Sequence, residues 1–117
     1  MNLLSSLFGP AMPSLNAVDL SEKLKNDKQA LVIDVRQPEE YREGHIAASK
    51  LIPLGELNKR INELPKDKEI ICVCASGSRS QSATKLLIVA GFDAFNMNGG
   101  MFMWQSAKLP MKKGNAA

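Results

Sequence analysis

Three short apolar runs, each followed by a segment with helical spacing, limit what this chain can fold into more than any other feature. The runs are Ala30-Leu31-Val32-Ile33-Asp34-Val35, Glu69-Ile70-Ile71-Cys72-Val73 and Phe92-Asp93-Ala94-Phe95-Asn96-Met97. Runs of this length bounded by turn residues read as buried strands. Lys50-Leu51-Ile52-Pro53 reads as a briefer one. Helical patterns lie between them. Asn16 is placed to cap a first helix, with Asp19 three residues on and Leu20 and Leu24 on one face. Pro38-Glu39-Glu40-Tyr41 opens a short helix with proline in its first turn. Leu54, Leu57, Ile61 and Leu64 form one helical stripe. Ala83, Leu86, Leu87 and Ala90 form another, which stops at Gly91. Gly99-Gly100 leads into a final short helix carrying Trp104. Such alternation predicts an α/β sandwich with a mostly parallel sheet flanked by helices. In sheets of that kind, sites form beyond the carboxyl ends of the strands.

One segment at such an end carries chemistry. Cys74-Ala75-Ser76-Gly77-Ser78-Arg79-Ser80 joins the second run to the helix behind it. A strand–loop–helix turn aims several backbone N–H groups at one point, and the helix N-terminus adds positive potential there. A cysteine at that point is expected to be a thiolate, the nucleophilic form of the residue. Gly77 permits a positive-φ turn and removes bulk. The loop therefore reads as a nest for an anion or an anionic sulfur. Cys72 lies mid-strand, two residues earlier, and reads as a buried structural residue.

The 117 residues and the +3 net charge exclude several alternatives. The length suits a single domain. No lysine–arginine tract with interleaved aromatics is visible, so no nucleic-acid partner is expected. Two cysteines two positions apart are poorly placed to pair, and two cysteines with one histidine cannot build an ordinary structural zinc site. No cofactor and no metal are expected. Residues 1–13 contain the apolar stretch Leu3-Leu4-Ser5-Ser6-Leu7-Phe8, with no basic start and too few residues to span a membrane. They read as a flexible arm or a partner-binding segment. Residues 111–117 read as a flexible tail. The chain is expected to be cytoplasmic, with no membrane association.

The order of motifs resembles the rhodanese-like sulfurtransferase domains. Asp34-Val35-Arg36, then Glu39-Glu40-Tyr41 and Gly44-His45-Ile46, resembles the first signature of that family. Ile52-Pro53-Leu54 is similar to the segment after it. Cys74-x-x-Gly77-x-Arg79-Ser80 resembles the active-site loop, Gly99-Gly100-x-x-x-Trp104 the closing motif, and Leu109-Pro110 the exit. The resemblance implies a rhodanese-like three-layer sandwich over residues 14–110, with a central five-stranded sheet. It implies a sulfurtransferase of the thiosulfate sulfurtransferase type that carries sulfur as a Cys74 persulfide. The donor would be thiosulfate or another persulfide. The acceptor would be a thiol, cyanide or a protein thiol. Family members that prefer thiosulfate often carry Arg or Lys after the cysteine. Ala75 stands there in this chain, so thiosulfate is expected to be a poor donor.

The remaining loop residues take roles within that frame. The N–H groups of Ser76, Gly77, Ser78 and Arg79 are expected to cradle the persulfide, with Ala75 and Ser80 completing the loop. Arg79 is expected to lower the thiolate pKa and steer anionic donors inward. Asp34 and Arg36 read as an internal ion pair that fixes loop architecture. Arg42 reads as a solvated helix residue that lines the cleft at most. His45 reads as structural. The alternatives are a non-catalytic or partner-specific sulfur-carrier or regulatory module, and a cysteine phosphatase or arsenate reductase on the same fold. Phosphatase loops place five residues between Cys and Arg, whereas four separate Cys74 from Arg79.

Overall fold

The computed structural model describes residues 12–26 and 29–117, so the expected N-terminal arm lies, up to residue 11, outside the described residues. Among the described residues, five strands build one sheet: β1 (Ser14–Leu15), β2 (Leu31–Asp34), β3 (Lys50–Leu51), β4 (Glu69–Val73) and β5 (Asp93–Met97). Their order across the sheet is β1-β5-β4-β2-β3, and every pairing is parallel. β4 is thus the middle strand. It registers Cys72 against Ile33 on one side and against Asn96 on the other.

Helices cover both faces. Helix α1 (Ala17–Asn26) and helix α5 (Gly100–Ser106) lie over one, where Leu20, Val32, Ile71, Val73, Met97, Met101 and Trp104 form a buried cluster. Helix α3 (Leu54–Leu57) and helix α4 (Ser78–Val89) lie over the other, where Ile33, Ile52, Leu57, Ile70, Ala83 and Leu87 pack with Cys72 and Cys74. Helix α2 (Pro38–Glu43) follows β2. Alternate residues of β4 feed alternate clusters, as the period-two geometry of a strand requires. Burial of a Leu or Ile side chain of this kind contributes about 1.5–3 kcal/mol. The layers are those of the expected α/β sandwich.

Local signals account for the helix ends. The Asn16 side chain accepts a hydrogen bond from the Asp19 amide at 2.7 Å, as an N-cap should. At α2, Gln37 and Glu40 form a capping box behind Pro38.

One expectation changes in detail. The stripe from Leu54 to Leu64 is not one helix. Its first turn is α3, and a separate 3-10 turn follows at Ile61–Glu63. Leu57 and Leu64 are both buried in one cluster with Leu54 and Ile61 against it, so the broken path seats the whole stripe. Arg60, at the break, is paired to both Glu56 and Glu63. The C-terminal segment makes contacts of its own. Lys112 forms an antiparallel bridge with His45, and the Gly114 amide donates to the Arg42 carbonyl at 2.9 Å. The His45 ring stacks on Tyr41 and contacts the Ala116 carbonyl through Nε2 at 2.8 Å. These contacts were not part of the expected tail.

The topology decides where a site can form. From β2 the chain moves outward to β3, and from β4 it moves the opposite way to β5. The crevice beyond the carboxyl ends of β2 and β4 lies where the winding reverses, the usual place for a site in an open α/β sheet. Cys74 follows β4 there, and Arg36 follows β2.

Candidate active site

The sulfur is enclosed by its own loop. Cys74 is one residue past β4 and α4 begins at Ser78, so the connection is tight. Gly77 makes the turn with φ +106°, where side chains are strained, and a Cβ on it would stand 3.2 Å from the Gly99 amide nitrogen. That turn brings the Gly77 N–H to 3.0 Å from Cys74 Sγ. The Ser80 hydroxyl lies 3.3 Å from the same sulfur and 3.1 Å from the Gly77 carbonyl. Cys74 has no exposed surface.

Electrostatics follow from this packing. Burial pushes the Cys74 thiol up, because a charged sulfur loses water. Hydrogen bonds from the Ser80 hydroxyl, and from the amides of Ser80, Gly77 and Ser76, overcome that penalty. The Cys74 pKa therefore lies below the ordinary thiol value. Cys72 is the opposite case. Burial pushes its thiol up to about 12, a Thr84 hydrogen bond offsets little of this, and the neighbouring Cys74 charge adds to it. The two thiols are thus shifted in opposite directions.

Sequence reasoning did not name every donor around the Cys74 sulfur. It assigned the cradle to the amides from Ser76 to Arg79, whereas the donors that hold the sulfur charge most strongly include both the hydroxyl and the amide of Ser80. The first turn of α4 folds Ser80 back over the loop, and a serine just inside a helix behind a cysteine was the available signal. Ser76 and Ser78 are exposed, and Ala75 is half-buried.

Arg79 is engaged by a residue the sequence reading did not single out. Its guanidinium meets the Glu40 carboxylate in a two-point pair, at 2.8 and 2.9 Å. Hydrogen bonds from Arg79 outweigh burial and, with the Gln37 amide, hold the Glu40 carboxyl at about 2. The same pair raises the Arg79 pKa. A lone arginine at a helix start opposes the helix dipole, so a nearby acidic counter-charge was the missed inference. Arg36 closes on Asp34 at 2.8 Å, with both side chains buried, and also donates to the Gly44 carbonyl at 2.8 Å. This pair ties the end of β2 to the end of α2. Arg42 is exposed on α2, where its backbone carbonyl receives the Gly114 amide.

A strand-end cysteine beneath a ring of amides, placed where a parallel sheet reverses its winding, accompanies a match of the rhodanese-like domain family model to residues 16–107. The chain belongs to the rhodanese-like domain family. It is 31% identical over 98 residues to a sulfurtransferase of Allochromatium vinosum, covering 83% of this chain and 92% of that protein. It is 37% identical over 83 residues to the thiosulfate sulfurtransferase GlpE of Pseudoalteromonas translucida, covering 69% of this chain and 79% of the relative. A rhodanese-related protein from Thermoplasma volcanium superposes with a TM-score of 0.81 at 36% identity, over 86% of this chain and 97% of that one. Among the described residues of this rhodanese-like domain, no helix is long and apolar enough to cross a membrane.

Proposed function

We propose that this rhodanese-like domain is a sulfurtransferase whose reacting atom is Cys74 Sγ. The observation that carries the reading is the 3.0 Å contact between the Gly77 N–H and that sulfur, inside a loop whose donors favour the anion. The family and the sulfurtransferases it resembles support sulfur transfer as the reaction class.

The chemistry balances in two steps. The Cys74 thiolate attacks the outer sulfur of a donor such as thiosulfate. The donor S–S bond breaks, sulfite leaves with the electron pair, and Cys74 holds a persulfide anion. An acceptor thiolate or cyanide then attacks the outer sulfur, takes it as a persulfide or thiocyanate, and returns the Cys74 thiolate. Each step passes through a negatively charged transition state, which fixed amide donors aimed at the transferring sulfur favour. Ser76, Gly77 and Ser80 supply those donors, while Ala75 and Ser78 complete the loop wall. Asp34 and Arg36 act as a support for the site. Two free thiols suit a reducing compartment such as the cytoplasm. The short spacing from Cys74 to Arg79 weighs against a phosphatase, since it leaves no room to wrap a tetrahedral oxyanion.

Mass spectrometry after incubation with thiosulfate, mercaptopyruvate or a small persulfide tests the reading. The expected product gains the mass of one sulfur atom on the Cys74 peptide, and cyanide removes it. Absence of that adduct with every donor overturns the assignment.

A further inference from the structure

The charges around the crevice are nearly balanced before any ligand arrives. Arg79 interacts electrostatically with Glu40, with Cys74 and with Asp34. Glu40 in turn feels Arg36 as well as Arg79. Two guanidiniums and two carboxylates thus cancel, and the charge of the sulfur is left over. The cation nearest the reactive loop in sequence is also bound by both of its terminal nitrogens to one carboxylate. Both side chains of that pair stay about one-third exposed, 35% for Arg79 and 34% for Glu40, so the pair faces the solvent from which a ligand comes.

We propose that Glu40 sets the charge selectivity of this site, holding Arg79 in a two-point pair and so turning away donors and acceptors of higher negative charge. The proposal rests on Cys74 as the reacting atom. It deepens the sulfur-transfer reading by naming the substrate class. Uncharged and singly charged sulfane donors are admitted over the thiosulfate dianion. Glu40 is a specificity-determining residue in this scheme, acting through Arg79 and through its own field. The mere presence of an arginine in the loop does not make an anion site, because its charge already has a partner.

A matched pair of alkylating reagents isolates the effect. Iodoacetate is an anion and iodoacetamide is neutral, and both attack the same thiolate, so the ratio of their rates at Cys74 is independent of how much thiolate is present. Two variants move that ratio in opposite directions. Glu40→Gln removes the carboxylate charge while a glutamine can still close the capping box. Arg79→Gln leaves the Glu40 charge uncompensated. The expected result at low salt is a rise of roughly fivefold in the iodoacetate-to-iodoacetamide ratio for Glu40→Gln, and a fall of similar size for Arg79→Gln. Both changes should shrink at high ionic strength. The rate of persulfide formation from thiosulfate should rise in Glu40→Gln and fall in Arg79→Gln.

A pair that only ties α2 to α4 would behave differently. Loss of either partner would then shift the ratio in the same direction, or not at all, and that outcome overturns the proposal. Alkylation ratios that move in opposite directions, with no persulfide from any donor, would uphold charge selection by Glu40 and sink the sulfur-transfer reading instead.

Discussion

The carbonyl oxygen of Cys74 accepts a hydrogen bond from the Met101 amide at 2.7 Å. The next carbonyl, of Ala75, accepts from the Phe102 amide at 3.0 Å. The first turn of α5 therefore clamps the backbone from which the Cys74 loop hangs. Gly100 makes the clamp possible. A Cβ there would fall 2.4 Å from the Cys74 oxygen and 2.5 Å from the Ala75 carbonyl. Those are backbone atoms, which cannot swing aside. Gly100→Ala should cost about 3 kcal/mol of stability and most of the sulfur-transfer rate. Denaturant titration and a persulfide-loading assay measure the two losses. A well-folded, fully active variant would show that the clamp is dispensable.

The two cysteines should separate cleanly. Cys74→Ser should abolish persulfide formation with little change in stability, because only the thiolate reacts and the volume change is small. Cys72→Ser should keep most activity and lose about 1–2 kcal/mol, the cost of a hydroxyl in an apolar strand. In the native Cys74→Ser protein the remaining thiol, whose pKa burial still pushes up, should resist alkylation until the fold is opened. Equal loss of activity in both folded variants would count against the assignment of Cys74.

Ser80→Ala removes the hydroxyl 3.3 Å from the sulfur and leaves the amide donors in place. The midpoint of alkylation rate against pH should lie below the ordinary thiol value in the wild type and move up in the variant. Below that midpoint the variant should react roughly tenfold more slowly, the scale of one hydrogen bond to a charged group. An unchanged profile would show that backbone donors alone set the ionisation.

Acid should undo the pair between Glu40 and Arg79 within a defined window. The Glu40 pKa falls from the ordinary 4.5 to about 2 on folding. A carboxyl whose pKa is depressed by folding contributes stability above its unfolded pKa and loses it as pH falls through the folded one. Wild type should therefore exceed Glu40→Gln by a constant margin above pH 4.5, and the margin should close as pH approaches 2. The pair is one-third exposed, so the margin should be only about 0.2–1 kcal/mol. Thermal midpoints of the two proteins along a pH series give this difference. A margin independent of pH would mean that ionisation of Glu40 is not its source.

The layout of the sheet was legible because its strands are continuous apolar runs, such as Leu31–Asp34 and Glu69–Val73, closed by polar or glycine-rich segments. The candidate loop at Cys74 stood out because small residues join a strand to a helix there. What was not legible depends on distance in space. Glu40 and Arg79 stand 39 residues apart and meet only because the winding reverses between β2 and β4. Ser80 looked like an ordinary first-turn residue until the turn at Gly77 folded it over the sulfur. The break between α3 and the 3-10 turn was hidden because Leu54, Leu57, Ile61 and Leu64 keep helical spacing while the backbone between them does not. His45 met Ala116 across 71 residues, a contact no local pattern records.

The strand order has a consequence for how the molecule is made. Among the described residues, β1 is made before the other strands, yet its partner is β5, the last of them, through Ser14 opposite Asn96 and Leu15 opposite Met97. At roughly 5–20 residues added per second, β1 waits seconds on the ribosome for its neighbour. Until β5 emerges, β4 has one open edge and α1 lacks Met97, Met101 and Trp104 beneath it. Sheet closure is thus a late event in translation. A nascent chain halted before Met97 exposes the middle strand of the sheet, the one that leads directly to Cys74.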